Sequence, residues 1–415
     1  MGGKEKCRVE SDVAKDSASG LTMQRRSFLK GAGVVAVVVI VGGVWRAYDE
    51  GVFSAGEGPA YEPWKDWRKD SSGGHILLVR AAILAASPHN TQPWLFKVTN
   101  SSIELYIDTR RNVGALDPYL REEHIGIGCA LENLMLAAAA NGYQPTVTFL
   151  PGKLVPISAE PGPKLLARVD LATGNPEQSE LYDAIPRRHT NRGPYAPDRS
   201  LPAEFVDTLS HLTTNEPDVK LFLFTSKAER KQLVEIISTA NDIIYADPEV
   251  DRGSGRWIRS HWREVQKFRD GLSVDAFGQP PIATAIFKMM PLWMQRWVMS
   301  RGQKDGYSKL MLRAPLMGII TVRDRHDQEN CMRAGRIWQH AHLLATARGI
   351  AGRPCNEAVE MIDYEKAHDK PPLRAKLLGE LLGDSAWQPT FVFYMGYPML
   401  TARASPRRPV ENVLL

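Results

Sequence analysis

Two stretches of equal length, Gly128-Cys-Ala-Leu-Glu-Asn-Leu-Met-Leu-Ala-Ala-Ala-Ala-Asn-Gly142 and Gly335-Arg-Ile-Trp-Gln-His-Ala-His-Leu-Leu-Ala-Thr-Ala-Arg-Gly349, read as copies of one another. Both carry an acid or amide at the fifth place (Glu132, Gln339), Leu at the ninth (Leu136, Leu343), Ala at the eleventh and thirteenth, and Gly at each end. Each pattern predicts a buried helix stopped by a glycine that takes a left-handed conformation. Arg121-Glu-Glu precedes the first and Asp327-Gln-Glu the second. Strand-like runs lie near both: Thr146 to Leu150 after the first, Met317 to Val322 before and Thr390 to Tyr394 after the second. Chance likeness between two Ala- and Leu-rich helices is the competing explanation, and these shared surroundings weigh against it. An internal duplication constrains the fold to two related halves.

Ahead of these halves, residues 1–23 are polar and are expected to be a disordered leader. Gln24-Arg25-Arg26-Ser27-Phe28-Leu29-Lys30 is followed by an uncharged run, Gly31 to Val44. Twin arginines before a modest apolar run resemble a Tat export signal, which implies passage through the Tat translocase in a folded state. Folded export is needed chiefly by a protein that takes up a cytosolic cofactor first. The alternative is a short membrane anchor with chance arginines, although the run is short for spanning a bilayer. Phe53-Ser54-Ala55 is a poor cleavage site, so residues 24–48 are expected to stay attached as a tether. The protein is then expected to act in the periplasm or otherwise outside the cytoplasm. Residues 49–72 read as a linker rich in Gly, Trp and charge.

Charge excludes one class of partner. Seven basic and four acidic side chains in residues 1–30 carry +3 of the formal +5, which leaves +2 for everything after the leader. That balance gives no reason to expect nucleic acid. Cys7, Cys129, Cys331 and Cys355 show no C-x-x-C spacing, and His340 and His342 on one helix face apart, so no metal site is expected. A disulfide among the last three cysteines stays open.

The body begins with an apolar helical run, His75 to Ala86, broken by Ser87-Pro88-His89-Asn90-Thr91-Gln92-Pro93. Trp94 to Val98 and Ile103 to Asp108 alternate as a β-hairpin. Ser87, His89, Asn90 and Gln92 on that turn are suited to the polar edge of a flat heteroaromatic ligand, though polar turn residues commonly serve the turn itself. Arg187-Arg188-His189-Thr190-Asn191-Arg192 combines guanidinium forks, a hydroxyl and an imidazole, the ingredients of a phosphate site or of a solvated basic turn. Arg403-Ala-Ser-Pro-Arg407-Arg408 is a second cationic group that closes on the same phosphate if the C-terminus folds back. Arg353-Pro-Cys355-Asn356-Glu357 follows the second copied helix and exposes backbone N–H groups at a turn. Cys355 is a weaker candidate nucleophile. Residues 252–302, rich in Trp, Met and Arg, read as an inserted helical hairpin: either a cover over a cleft, with Trp257, Trp262, Phe268, Trp293 and Trp297, or a helical excursion packed on the body. No nucleophile elbow, dinucleotide fingerprint or P-loop is present.

Taken together, Ala86-Ser-Pro-His-Asn-Thr-Gln-Pro-Trp94 resembles the flavin-contacting loop of the nitroreductase superfamily, and Arg187 to Arg192 resembles its opening motif for the FMN phosphate. Gly396-Tyr-Pro398 to Arg408-Pro409 is similar to its closing segment. One motif lies in each half, which resembles the Acg-type branch, where two halves are fused into a pseudo-dimer with one FMN site. The resemblance implies an α+β, nitroreductase-like fold in which each half has a central β-sheet flanked by helices, with residues 73–178 forming the first half and 179–415 the second. It implies FMN as cofactor, held by Arg188, His189, Thr190, Arg192, Arg407 and Arg408 at the phosphate and by Ser87, His89, Asn90 and Gln92 at the ring. Backbone N–H groups at Asn356 and Glu357 would face the ring nitrogen N5. It assigns no acid or base. The function it implies is a flavin-dependent oxidoreductase, monomeric as a pseudo-dimer, with NAD(P)H one candidate donor. The competing readings are an FMN storage protein without turnover and a membrane-tethered scaffold without cofactor. The first half lacks the arginine-rich opener and the second lacks the loop, so a single flavin is expected.

Overall fold

The computed structural model describes residues 43–69, 74–157, 161–197, 199–244 and 246–415, with backbone alone for 292 and 296–305. In the first half, β1 (Trp94–Val98) and β2 (Ser102–Asp108) form the expected hairpin, Trp94 opposite Ile107 and Val98 opposite Ile103. Thr99 closes the turn, its Oγ1 accepting the Ser102 N–H at 3.0 Å. A long helix, α2 (Arg121–Ala140), follows the short helix α1 (Ile76–Ala82) and leads into β3 (Tyr143–Phe149) and β4 (Pro163–Thr173). The sheet runs β1-β2-β4-β3, every neighbour antiparallel.

The second half repeats this plan. β5 (Val219–Phe224), β6 (Leu316–Val322), helix α3 (Gln328–Ala347), β7 (Ala351–Pro354) and β8 (Gln388–Gly396) build a sheet in the order β5-β6-β8-β7, again all antiparallel. In each half the 20-residue helix joins the second and third strands, and its glycine stop is left-handed: φ is 80° at Gly142 and 68° at Gly349. The α+β architecture with two fused halves is therefore realised.

The copied glycines explain how the halves meet. α2 and α3 cross where a Cβ on Gly128 would lie 2.0 Å from the Met332 carbonyl oxygen and one on Gly335 would lie 2.0 Å from that of Ile125. No side chain fits at either place, so the helices touch backbone to backbone. Hydrophobic side chains of both sheets and both helices, Trp94, Ile127, Leu131, Ile320, Trp338 and Phe393 among them, then form one continuous core. Across the same contact the Glu132 carboxylate accepts from Arg336 at 2.9 Å and pairs with His340 at 2.8 Å.

Three expectations need correction. The stretch read as a linker, 49–72, is part of the body where it is described: Ala60, Tyr61, Trp64 and Trp67 are buried in the core because its aromatics recur at helical spacing. The helix expected over His75 to Ala86 stops at Ala82, which turns the Leu84 and Ala85 carbonyls toward arginines described below. The insert is larger than 252–302 and is not a hairpin. It fills the connection from β5 to β6, residues 225–315, where the first half has the short turn, and holds helices Lys227–Ile244, Pro248–Gly255, Trp262–Phe268, Pro281–Met289 and Leu292–Arg313. Pro248 and Pro281 open helices at their first position, where the missing N–H costs nothing, so the chain breaks into short pieces.

The twin-arginine motif and residues 1–42 lie outside the described residues, as does the Trp297 side chain. Cys129, Cys331 and Cys355 are buried and unbridged.

Candidate functional site

The C-terminal segment leaves β8 and crosses to the first half, where Phe96 N–H donates to the Val413 carbonyl (2.8 Å) and Leu415 N–H to that of Phe96 (2.9 Å). This path carries Arg407 to the turn after α1. Arg188, placed just beyond a 3-10 turn (Ile185–Arg187), arrives from the other side. Arg188 donates Nη2–H to Leu84 O at 2.9 Å, and Arg407 donates to Ala85 O at 3.0 Å and to Asn90 Oδ1 at 2.5 Å. Each keeps a buried Nε–H with no partner, as does His189 at Nδ1. Arg188, His189, Thr190, Arg192, Arg407, Ser87, Asn90, Ser405, Ala86 and Trp64 together line one pocket.

Electrostatics make this pocket unusual. Arg188 and Arg407 are 2% and 3% exposed, and no carboxylate among the described residues pairs with them or with Arg192. Burial pushes Arg188 and Arg192 down to about 10, and Arg407 well below its ordinary value, with Arg188 adding to the push. Burial also pushes His189 down to about 3, helped by Arg188 and Arg407. Buried charges are normally paired. Three clustered guanidiniums with no carboxylate partner among the described residues, two of them keeping a free Nε–H, are built to receive an anion.

The pocket adjoins a larger cleft, a cavity of about 200 Å³, walled by Ser87, His89, Thr190, Arg192, Tyr307, Trp338, Arg353, Asn356 and Phe391. Its polar lining mixes the guanidiniums of Arg192 and Arg353 with carboxyls. Glu122, Glu357 and Glu360 face it, and burial lifts Glu122 to about 7, raises Glu357 and holds Glu360 well above the carboxylate range. Below them Asp363 stays ionised: burial opposes this, but Arg325 and Arg121 hold it well below the usual carboxylate range. Ile244, Ser254 and Leu272 of the insert also line the cleft.

The Ser87 loop is strained to fit here. His89 (φ 44°), Asn90 (56°) and Gln92 (51°) are all left-handed, a conformation side chains avoid and which persists only where surroundings over-determine it. Asn90 does much of that holding: its Nδ2 donates to Gly271 O (3.0 Å) and Pro406 O (2.9 Å), binding loop, insert and C-terminal segment together. Burial takes the His89 imidazole down to about 4, so it is neutral.

Of the residues singled out in the sequence, Ser87, Asn90, Arg188, His189, Thr190, Arg192 and Arg407 come together at the pocket, and Ser87, His89, Asn356 and Glu357 at the cleft. Gln92 and Arg408 do not reach either. Gln92 Nε2 donates to Arg269 O at 2.9 Å while its Oε1 accepts the Arg408 N–H at 2.8 Å, so the pair acts as a clasp on the C-terminal segment. The Asn356 amide is also committed, its Oδ1 accepting from Val392 N–H at 2.8 Å. The Glu357 backbone N–H bonds its own carboxylate. Sequence reasoning missed Trp64, which caps the pocket: Nε1–H donates to Ser405 O (2.8 Å), the ring lies 4.6 Å from the Arg407 guanidinium and meets His189 edge-on at 4.7 Å. Its signal was the spacing of Tyr61, Trp64 and Trp67 in a stretch otherwise rich in charge.

No family model matches the chain. Over 118 residues it is 34% identical to the protein named "Putative NAD(P)H nitroreductase Rv3131" of Mycobacterium tuberculosis (strain ATCC 25618 / H37Rv), a stretch that is 28% of this chain and 32% of the relative. Over 121 residues it is 33% identical to "Putative NAD(P)H nitroreductase acg" of the same strain, covering 28% of this chain and 34% of that one. The chain thus spans about a third of the length of these curated relatives. Among solved structures, a nitroreductase with bound FMN from Desulfitobacterium hafniense DCB-2 matches at a TM-score of 0.33 and 14% identity, over 57% of this chain and 97% of that one. The FMN-dependent nitroreductase NfnB from Mycobacterium smegmatis, in complex with NADPH, matches at 0.35 and 17%, over 56% and 97%.

Proposed function

We propose that this chain is an FMN-binding oxidoreductase of the nitroreductase kind, close to the Acg-type branch, that acts outside the cytoplasm. The observation that supports it most is the cluster of buried Arg188 and Arg407 with half-buried Arg192, paired with no carboxylate among the described residues, beside a cleft lined by Tyr307, Trp338 and Phe391. Arg188 and Arg407 would hold the phosphate with their free Nε–H groups, Thr190 and Ser87 would add hydroxyls, and Trp64 would exclude water. Trp338, Phe391 and Tyr307 would flank the ring. When bound, FMN supplies hydride and single-electron chemistry, while the protein orients it and sets its electronics. Burial raises the carboxyls of Glu122, Glu357 and Glu360 beside the proposed ring site, which favours their protonated forms there.

NAD(P)H is the donor we propose, in keeping with the names of the relatives. The export reading rests on Arg25 and Arg26: with both changed to Lys, the protein is expected to stay in the cytoplasm, and unchanged export would end that reading. A storage role is the second reading, and the observation favouring it is the insert, whose Gly271 is bonded both ways to Asn90 (Gly271 N–H to Asn90 O, 3.1 Å) over the cleft. Adding NAD(P)H anaerobically to the FMN-loaded protein separates them. Bleaching of the flavin bands supports the oxidoreductase, and bands unchanged over hours support storage.

A further inference from the structure

Helix Pro281–Met289 of the insert is amphipathic the wrong way round for water. Its polar side chains point inward: Lys288 is 2% exposed and paired with Asp275 at 2.8 Å, Thr284 is buried, and just beyond the helix Gln295 is 2% exposed. Both of its isoleucines point out, Ile282 at 77% and Ile286 at 55%, while Phe287 and Met289 are half-buried; Trp293, in the next helix, is 68% exposed. Scattered exposed hydrophobics need no explanation, but an inverted helix face does.

A second set of exposed hydrophobics lies on the segment bonded to this helix. Lys288 Nζ also donates to the Gly51 carbonyl at 3.1 Å, which fastens the helix to the turn after helix 43–49. Val44, Trp45 and Tyr48 of that helix and Phe53 of the turn are exposed, each above 60%. The chain entering helix 43–49 is the uncharged run Gly31 to Val44. Among the described residues no helix is long and apolar enough to cross a membrane.

We infer that Ile282, Ile286 and Trp293, together with Trp45, Tyr48 and Phe53, form a face that rests in the interfacial layer of a lipid bilayer. The upstream apolar run indicates the occupant, since it delivers the chain to this face. Trp and Tyr suit the headgroup level, and an apolar helix face lying in the interface is a stable arrangement. The inference is independent of flavin binding and extends the tether from the leader to the body.

Its test uses the full chain with Cys7→Ser and a nitroxide attached at Ile286→Cys, the other cysteines being buried, mixed with vesicles of phosphatidylethanolamine and phosphatidylglycerol. The label is expected to gain collisions with oxygen and lose those with a water-soluble nickel complex when vesicles are added. A label at Val155, 54% exposed on the first half, is expected to stay unchanged. The inference is overturned if position 286 stays as wet as position 155 while the chain pellets with the vesicles, or if the chain does not pellet. It is equally overturned if position 286 is already protected without lipid and Ile282→Asp/Ile286→Asp converts a sedimenting dimer to monomer, which would assign the face to a second copy.

Discussion

Among the described residues the Arg188 side chain donates one hydrogen bond, to Leu84 O, and carries a buried charge with no acid beside it. Replacing it by Met removes that uncompensated charge, so the flavin-free protein is expected to melt no lower than the parent, whereas FMN affinity is expected to fall about 10–100-fold with the loss of a charge-assisted contact worth about 1.5–3 kcal/mol. Calorimetry and FMN titration together check this; a variant that binds FMN as the parent does would remove Arg188 from the phosphate site. Glu122 makes a pH prediction. With its carboxyl lifted to about 7 from an ordinary value of 4.5, the folded chain keeps a proton that the unfolded chain releases, so its contribution is complete below about 4.5 and is lost as pH rises through 7. Glu122→Gln is expected to match the parent at pH 4.5 and exceed it at pH 8 by on the order of 3 kcal/mol in denaturant titrations. The basic cluster and its two flanking motifs were legible because guanidiniums in a dense run are rare outside anion sites and solvated turns. The commitments of Gln92 and Asn356 were not, since an amide offers the same groups to a ligand and to a backbone carbonyl, and only the path of the C-terminal segment decides between them.

At the level of elements, the crossing of α2 and α3 rests on two glycines whose absent side chains let the helices touch. Gly128→Ala would force a Cβ against the Met332 carbonyl and is expected to cost about 1–3 kcal/mol or more, since neither backbone can yield alone. Gly379→Ala, on a helix surface with open space around it, is the control expected to be neutral or slightly stabilising. The insert is held over the cleft by Asp270, which accepts from Arg259 at 2.6 Å and pairs with Arg111 of the first half. Asp270→Asn is expected to speed FMN release severalfold without changing the sheets; an unchanged release rate would show that the insert does not gate the cleft. The copied helices were readable because period and glycine positions survive in the sequence. The insert was misjudged in extent because helices opened by proline look, in sequence, like breaks.

Over the whole molecule, two halves share one topology, yet the connections that differ between them put a cationic pocket at their junction. Its walls come from four separated parts of the chain: Trp64, the Ser87 loop, the run from Arg188 to Arg192 and the C-terminal segment. Such a site is only partly visible in sequence, as the Trp64 contribution shows. The most direct test of this arrangement is a calorimetric titration of flavin-free protein with FMN and, separately, with riboflavin, which has the same ring and no phosphate. Binding of about one FMN per chain is expected, with riboflavin at least about 100-fold weaker because several charge-assisted contacts are lost together. Equal affinity for the two ligands, two FMN per chain, or no binding of FMN would contradict it.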